Sequence, residues 1–317
     1  MVLGLVFAVI VSILFAVYAV PRKFSKQNVV LYTMWMGIAY FVGTIILISI
    51  LWGLRLEEPE DLLNPWHLLT VLRGFIWVLG MAAYNLAIDK IGLTRFNQWK
   101  NVQGPVGSLL ILFVLADVVG IRILWLVLGM TVMFASALLF QITTDAEKEN
   151  LTASKKNATT GIALALFCGM CFGVTALLNS VVTRPAIVGD TFTYAQLLYH
   201  SASLVVFSVI LYMILGDQSS ESSTAKQRFR DIVKVDKKTW LPVIAGGMFL
   251  VATLLTIHSY RLIPNPVAWS IMQLNVFWTV LIGLFIFKEI DYQQHWLRLS
   301  LGFLMAVGAC VLLFLAI

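Results

Sequence analysis

FNQWKNVQGP, residues 96 to 105, concentrates hydrogen-bonding chemistry. Asn97, Gln98, Lys100, Asn101 and Gln103 fall within seven positions of an otherwise apolar region. Amides both donate and accept, so such a set suits a hydroxyl-rich solute, and the lysine adds a positive charge. On a helix, Asn97, Lys100, Asn101, Gly104 and Ser108 form one stripe, flanked by Gln98 and Gln103. Gly104 and Pro105 are expected to break the helix as a hinge, because Pro105 removes the hydrogen bond to residue 101 and frees a carbonyl there. A competing reading has Lys100 reaching the membrane edge while the amides cap or cross-link helices.

Other segments carry related groups. Arg73, Trp77, Gly80 and Tyr84 lie at i, i+4, i+7 and i+11, one helix face. Arg73 needs a partner in an apolar span, either a structural one or an anionic solute, and Trp77 could wall a cavity. In TFTYAQLLYHSAS, residues 191 to 203, Gln196, His200 and Ser203 share a face. His200 is either a proton carrier or a packing histidine. Asn179 is a further polar group within a span, and Trp278 a second candidate wall. Cys168 and Cys171 spell C-x-x-C without a redox fold around them, and read as packing residues. No H-E-x-x-H, no G-x-S-x-G and no mid-span pair of acids is present, so an enzyme, a metal and a cofactor are not expected.

The elements that must position these groups follow from hydropathy. The chain has 317 residues, 60% hydrophobic and 12% charged, with a mean hydropathy of +0.90. A soluble domain carries about 25% charged residues. Ten apolar windows are expected as membrane helices, at residues 2–20, 30–54, 66–88, 92–116, 121–142, 159–183, 190–215, 239–261, 266–288 and 296–317. The first window lacks the basic start of a signal peptide and is read as a membrane helix. Two connections, Ile142 to Lys156 and the Ser-rich Gly216 to Lys238, should be solvated. Lys and Arg gather in the loops after odd-numbered windows, which the positive-inside rule puts in the cytoplasm with both termini outside. The net charge of +6 then reflects topology, and nucleic acid is not expected as a partner.

The chain also repeats. Shifted by 172, NVQGPVGSLLILFVLAD (101–117) falls on QLNVFWTVLIGLFIFKE (273–289). Asn101 then meets Gln273, Gln103 meets Asn275, and Asp117 meets Glu289. Shifted by 157, GLVFAVIVSILFAVYAV (4–20) falls on GIALALFCGMCFGVTAL (161–177). Windows one to five thus match six to ten, and five is odd, so the halves insert oppositely. The expected fold is an all-α integral membrane protein of ten transmembrane helices in two inverted five-helix repeats, residues 1–142 and 159–317, joined by a cytoplasmic linker at 143–158.

This plan, with an acid closing the fourth helix of each half, resembles the drug/metabolite transporter superfamily. NQWKNVQGP and QLNVFWTVLIGLFIFKE look most like the glucose/ribose-type sugar uptake porters. The resemblance implies a secondary transporter in the cytoplasmic membrane that moves a small polar solute, often with protons. Asn101, Gln103, Gln273 and Asn275 are expected to hydrogen-bond the solute while Trp77 and Trp278 wall it, with Asn97, Lys100, Asn179 and Arg73 contributing. Transport of organic anions, quaternary amines or amphipathic compounds is the alternative. The partners are then the solute and the bilayer, and the protein is a monomer or a homodimer; Gly169 and Gly173 permit close helix contact.

Overall fold

A computed structural model describes the chain except residues 26, 57–61, 92–95, 97–98, 116–120, 140–154, 185–193, 217–224, 236–238 and 287–291. The described residues form helices and no strand. Eight helices are long and apolar enough to cross a membrane, and two shorter apolar helices, Gln103–Leu115 and Ile123–Leu139, accompany them. Large apolar side chains such as Ile46, Leu68, Phe113, Ile214 and Leu304 point outward, so the surface is as greasy as the core. In water that surface would be unstable; in lipid it is solvated. The chain is an all-α membrane protein.

In chain order, α1 (Val2–Val17) and the short α2 (Val20–Phe24) make the first candidate span. α3 (Val29–Gly53) is capped by Asn28, whose side chain accepts from the Val30 N–H at 2.9 Å. α4 (His67–Ile91) follows. Trp99 and Lys100 are helical, Asn101 and Val102 form a turn, and α5 (Gln103–Leu115) begins beyond it. α6 (Ile123–Leu139), α7 (Lys155–Val182), α8 (Ala195–Leu215), α9 (Ala225–Val233) and α10 (Trp240–Leu262) come next. The ninth expected window is again two pieces, α11 (Asn265–Met272) and α12 (Asn275–Phe285), separated by a turn at Gln273 and Leu274. α13 (Tyr292–Leu315) ends the chain.

One detail differs from the sequence reading and one adds to it. The break in the fourth window comes before Gly104 and Pro105, which sit in the first turn of α5. A proline is tolerated in a first turn because its missing N–H has no intrahelical partner there. The carbonyl expected to be free at Asn101 accepts from the Gly104 N–H at 3.2 Å. The connection from Gly216 to Lys238 is not wholly irregular, since it holds α9. Arg228 of α9 donates to the carbonyls of Met213 (2.7 Å) and Ile214 (3.1 Å), closing the C-terminal end of α8.

The helix neighbours are mostly long-range. α4 packs on α7 and α8, α1 on α10, α11 and α12, α3 on α8 and α10, α5 on α7 and α11, and α6 on α13. One core gathers Tyr40, Trp77, Phe172, Leu204 and Phe249 from α3, α4, α7, α8 and α10. A second gathers Val11, Leu126, Ile271 and Leu313 from α1, α6, α11 and α13.

Close approach of α3 and α10 depends on Gly246. A Cβ there would stand 2.3 Å from the Met36 carbonyl oxygen, whereas a Cβ on the adjacent Gly247 meets nothing within 4 Å. Gly246→Val should destabilise the protein by about 1–3 kcal/mol through overpacking, and Gly247→Val should cost far less. Thermal unfolding of the two variants in detergent checks this; equal midpoints would contradict the packing.

Candidate functional site

A cavity of about 110 Å³ lies between the halves of the chain. A water needs roughly 10–15 Å³ on this measure, so several waters or part of a small solute fit. Its walls come from both halves: α1 supplies Phe15, α4 supplies Arg73 and Trp77, α7 supplies Phe172 and Asn179, and α8 supplies His200. α10 adds Phe249, Thr253 and Thr256, while Trp269 and Asn275 come from α11 and α12. Lys100 and Gln103, on either side of the turn before α5, complete one wall.

Arg73 is 3% exposed. Its Nη1 donates to Asn179 Oδ1, joining α4 to α7, and its Nη2 is buried without a partner. The sequence required a partner for this arginine, and the partner is a neutral amide. His200 is 3% exposed; its Nδ1 is 3.3 Å from the Tyr40 hydroxyl and its Nε2 is buried and unpartnered. The indole of Trp77 packs against Phe249 with ring centroids 5.3 Å apart. Trp77 and Trp269 give the cavity flat apolar faces, against which the C–H patches of a sugar ring can lie.

The amides divide between cavity and seam. Gln103 Nε2 donates to Gln273 Oε1 at 2.9 Å, bridging α5 to the turn after α11. Gln273 Nε2 donates to the Trp269 carbonyl at 3.2 Å, and Trp269 Nε1 to the Gln103 carbonyl at 3.2 Å. Below them Ser108 Oγ and Ser270 Oγ are 2.8 Å apart. Gln103 and Asn275 line the cavity, whereas Asn101 and Gln273 line a separate void of about 20 Å³, room for about one water. Gly104 and Pro105 line that smaller void too. A Cβ on Gly104 would stand 2.8 Å from Gln273 Cγ, so this glycine admits the close crossing of the seam.

Of the residues singled out from the sequence, Arg73, Trp77, Lys100, Gln103, Asn179, His200 and Asn275 therefore meet at the cavity. Trp278 does not line it; its Nε1 donates to Ser12 Oγ at 2.8 Å and its ring stands edge-on to Phe277. Asn97 and Gln98 lie outside the described residues. Sequence reasoning missed Phe15, Phe172, Thr175, Phe249, Thr253, Thr256 and Trp269 as site residues. Phe249, Thr253 and Thr256 on α10, and Phe172 and Thr175 beside Asn179 on α7, follow helical-face spacing, a signal that could have found them.

A family model described as "Sugar transport protein" matches residues 42–316. No curated protein matches the chain. A solved structure described only as "Crystal structure of protein" superposes with a TM-score of 0.69 at 12% identity, covering 99% of this chain and 98% of that one, a likeness of fold alone.

The seam makes a stability prediction. Gln103→Leu or Gln273→Leu each strands the other amide in a buried site, a cost of about 1–3 kcal/mol. Changing both removes donor and acceptor together. The double variant should be less destabilised than the sum of the singles, with a coupling of roughly 0.6–1.7 kcal/mol. A double-mutant cycle on thermal unfolding in detergent reads this directly, and strict additivity would count against the bond.

Proposed function

The chain belongs to the sugar transport protein family, and from that premise we propose that it is a secondary transporter carrying a small sugar through this cavity by alternating access. Within that reading it is a member of the drug/metabolite transporter superfamily of the glucose/ribose uptake type, working in the cytoplasmic membrane with both termini outside. Ten apolar helices cross as two inverted five-helix halves, α1 to α6 and α7 to α13, with α9 in a connection. A transporter role stands in place of an enzymatic one.

The observation that carries the reading is that the cavity is walled by both halves and by both broken helices. Two further features support it. Helix neighbours recur when each half is exchanged for the other: α4 on α7 answers α10 on α1, α3 on α10 answers α8 on α4, and α5 on α7 answers α11 and α12 on α1. The turns at Asn101–Val102 and Gln273–Leu274 stand 172 residues apart, the same register as the sequence repeat. Discontinuous helices at a repeat interface are where such proteins place their solute. The two amide pairs are unequal in this structure: Gln103 and Gln273 are bonded, while Asn101 and Asn275 line different voids. That inequality fits one state of a symmetric exchange. If protons drive the cycle, His200 carries them, since its unpartnered Nε2 belongs to a residue on the cavity wall.

The test is uptake of labelled monosaccharides, neutral and acidic, by the purified protein in liposomes. At least one sugar should enter saturably. Asn275→Ala should lower that uptake tenfold or more, and Trp269→Ala should do the same by removing a wall. Trp278→Phe, away from the cavity, should stay within about twofold. No uptake of any sugar by folded protein would overturn the proposal.

A further inference from the structure

The cavity has more donors to offer than acceptors. Arg73 keeps a buried Nη2 without a partner, and Lys100 lines the same cavity. No aspartate or glutamate lines it among the described residues. Of the amides that line it, Asn179 already accepts from Arg73 Nη1 through its Oδ1. The threonine hydroxyls donate to their own helix, Thr253 to the Phe249 carbonyl and Thr256 to the Ala252 carbonyl, both at 2.8 Å. A neutral sugar would leave two cationic side chains of one cavity in an apolar slab with no carboxylate among the described lining residues. Buried charges are retained where a partner completes them, and among the described residues Arg73 has a neutral amide on Nη1 and no partner on Nη2.

We propose that the solute is a sugar acid: a monosaccharide whose carboxylate is received by Arg73 Nη2 and Lys100 and whose ring lies against the aromatic walls at Trp77 and Trp269. This rests on the sugar-transport reading and names the substrate class within it. A guanidinium suits a carboxylate because its donors are fixed in a plane and always charged. Asn179 positions Arg73 by occupying Nη1, which leaves the second nitrogen for the solute. Lys100, at the edge of the broken helix, adds the second charge and needs no carboxylate from the protein.

The experiment compares labelled D-glucuronate and D-glucose in liposomes containing the full-length protein. The structure calls for glucuronate uptake at least tenfold above glucose at equal concentration. Lys100→Gln should lower glucuronate uptake about tenfold and collapse the preference, and Arg73→Gln should do so more severely. Lys100 is only half-buried, so its variant keeps the test alive if Arg73→Gln does not fold. Glucose carried as well as or better than glucuronate, indifferent to Lys100→Gln, would overturn the sugar-acid assignment and leave sugar transport standing. Glucose uptake that requires chloride, and fails in methanesulfonate, would put an inorganic anion on the two cations and equally overturn it. Failure of glucuronate to enter while another monosaccharide does would overturn the sugar-acid assignment alone, and failure of every monosaccharide tried would remove the transport reading with it.

Discussion

A guanidinium buried in a slab of hydrocarbon constrains everything around it. Lipid offers neither water nor hydrogen bonds, so Arg73 can exist on α4 only where the protein itself supplies a polar interior. The bond to Asn179 fixes that place at the contact of α4 with α7, one helix from each half. With those two helices joined around a polar point, Nη2 is left buried and unpartnered on a residue of the cavity wall. The cavity is thus the space that a buried cation keeps open. Its walls also carry the rings of Phe15, Trp77, Phe172, Phe249 and Trp269, three of which belong to the first core as well.

The same rule shapes the seam where α5 crosses α11. Gln103, Gln273, Ser108 and Ser270 are all buried, and each is paired with a group across or along the crossing. Glycine at 104 lets the crossing be tight enough for those pairs to form. The seam and the cavity are therefore two answers to one requirement. Where polar groups can reach each other the helices lock, and where a charge has no countercharge within reach a space remains.

Much of this was legible in the sequence because polar residues in apolar spans are expensive and stand out. Arg73, Asn179, His200, Lys100, Gln103 and Asn275 were found by that expense, and all line the cavity. The spans were legible for the complementary reason, an excess of apolar residues on every face. What was hidden had no such signature. A phenylalanine costs the same facing lipid or facing a cavity, so Phe15, Phe172 and Phe249 could not be separated from lipid-facing neighbours on that ground. A threonine that donates to its own helix backbone is cheap anywhere in a membrane, which concealed Thr253 and Thr256. Trp278 was misread because its indole N–H finds Ser12, a residue 266 positions away that no local pattern connects to it. The amide-rich stretch announced polarity, but which amides would pair with each other depends on the crossing of α5 and α11, not on spacing along either.

The helix breaks show how irregular backbone is tolerated at this depth. Each turn would expose carbonyls to hydrocarbon if it simply interrupted the ladder. At the first, the Asn101 carbonyl accepts from Gly104 N–H at 3.2 Å. At the second, the Ser270 and Ile271 carbonyls accept from the N–H groups of Gln273 (3.2 Å) and Leu274 (3.0 Å). The tighter i to i+3 bonds of a turn replace the i to i+4 bonds of the helix, and the Gln273 amide adds a bond back to the Trp269 carbonyl. These bonds are made within each turn, and at the first break the Gln103 carbonyl also accepts from the Trp269 indole across the seam. On the alternating-access reading, the segment beyond each turn can change its angle while the local bonds persist. The price of movement then falls on side-chain pairs such as Gln103 with Gln273, whose counterparts under the proposed repeat, Asn275 and Asn101, line separate voids. Exchange of one bonded pair for the other would keep the sum of interhelical hydrogen bonds near constant while the open side changes.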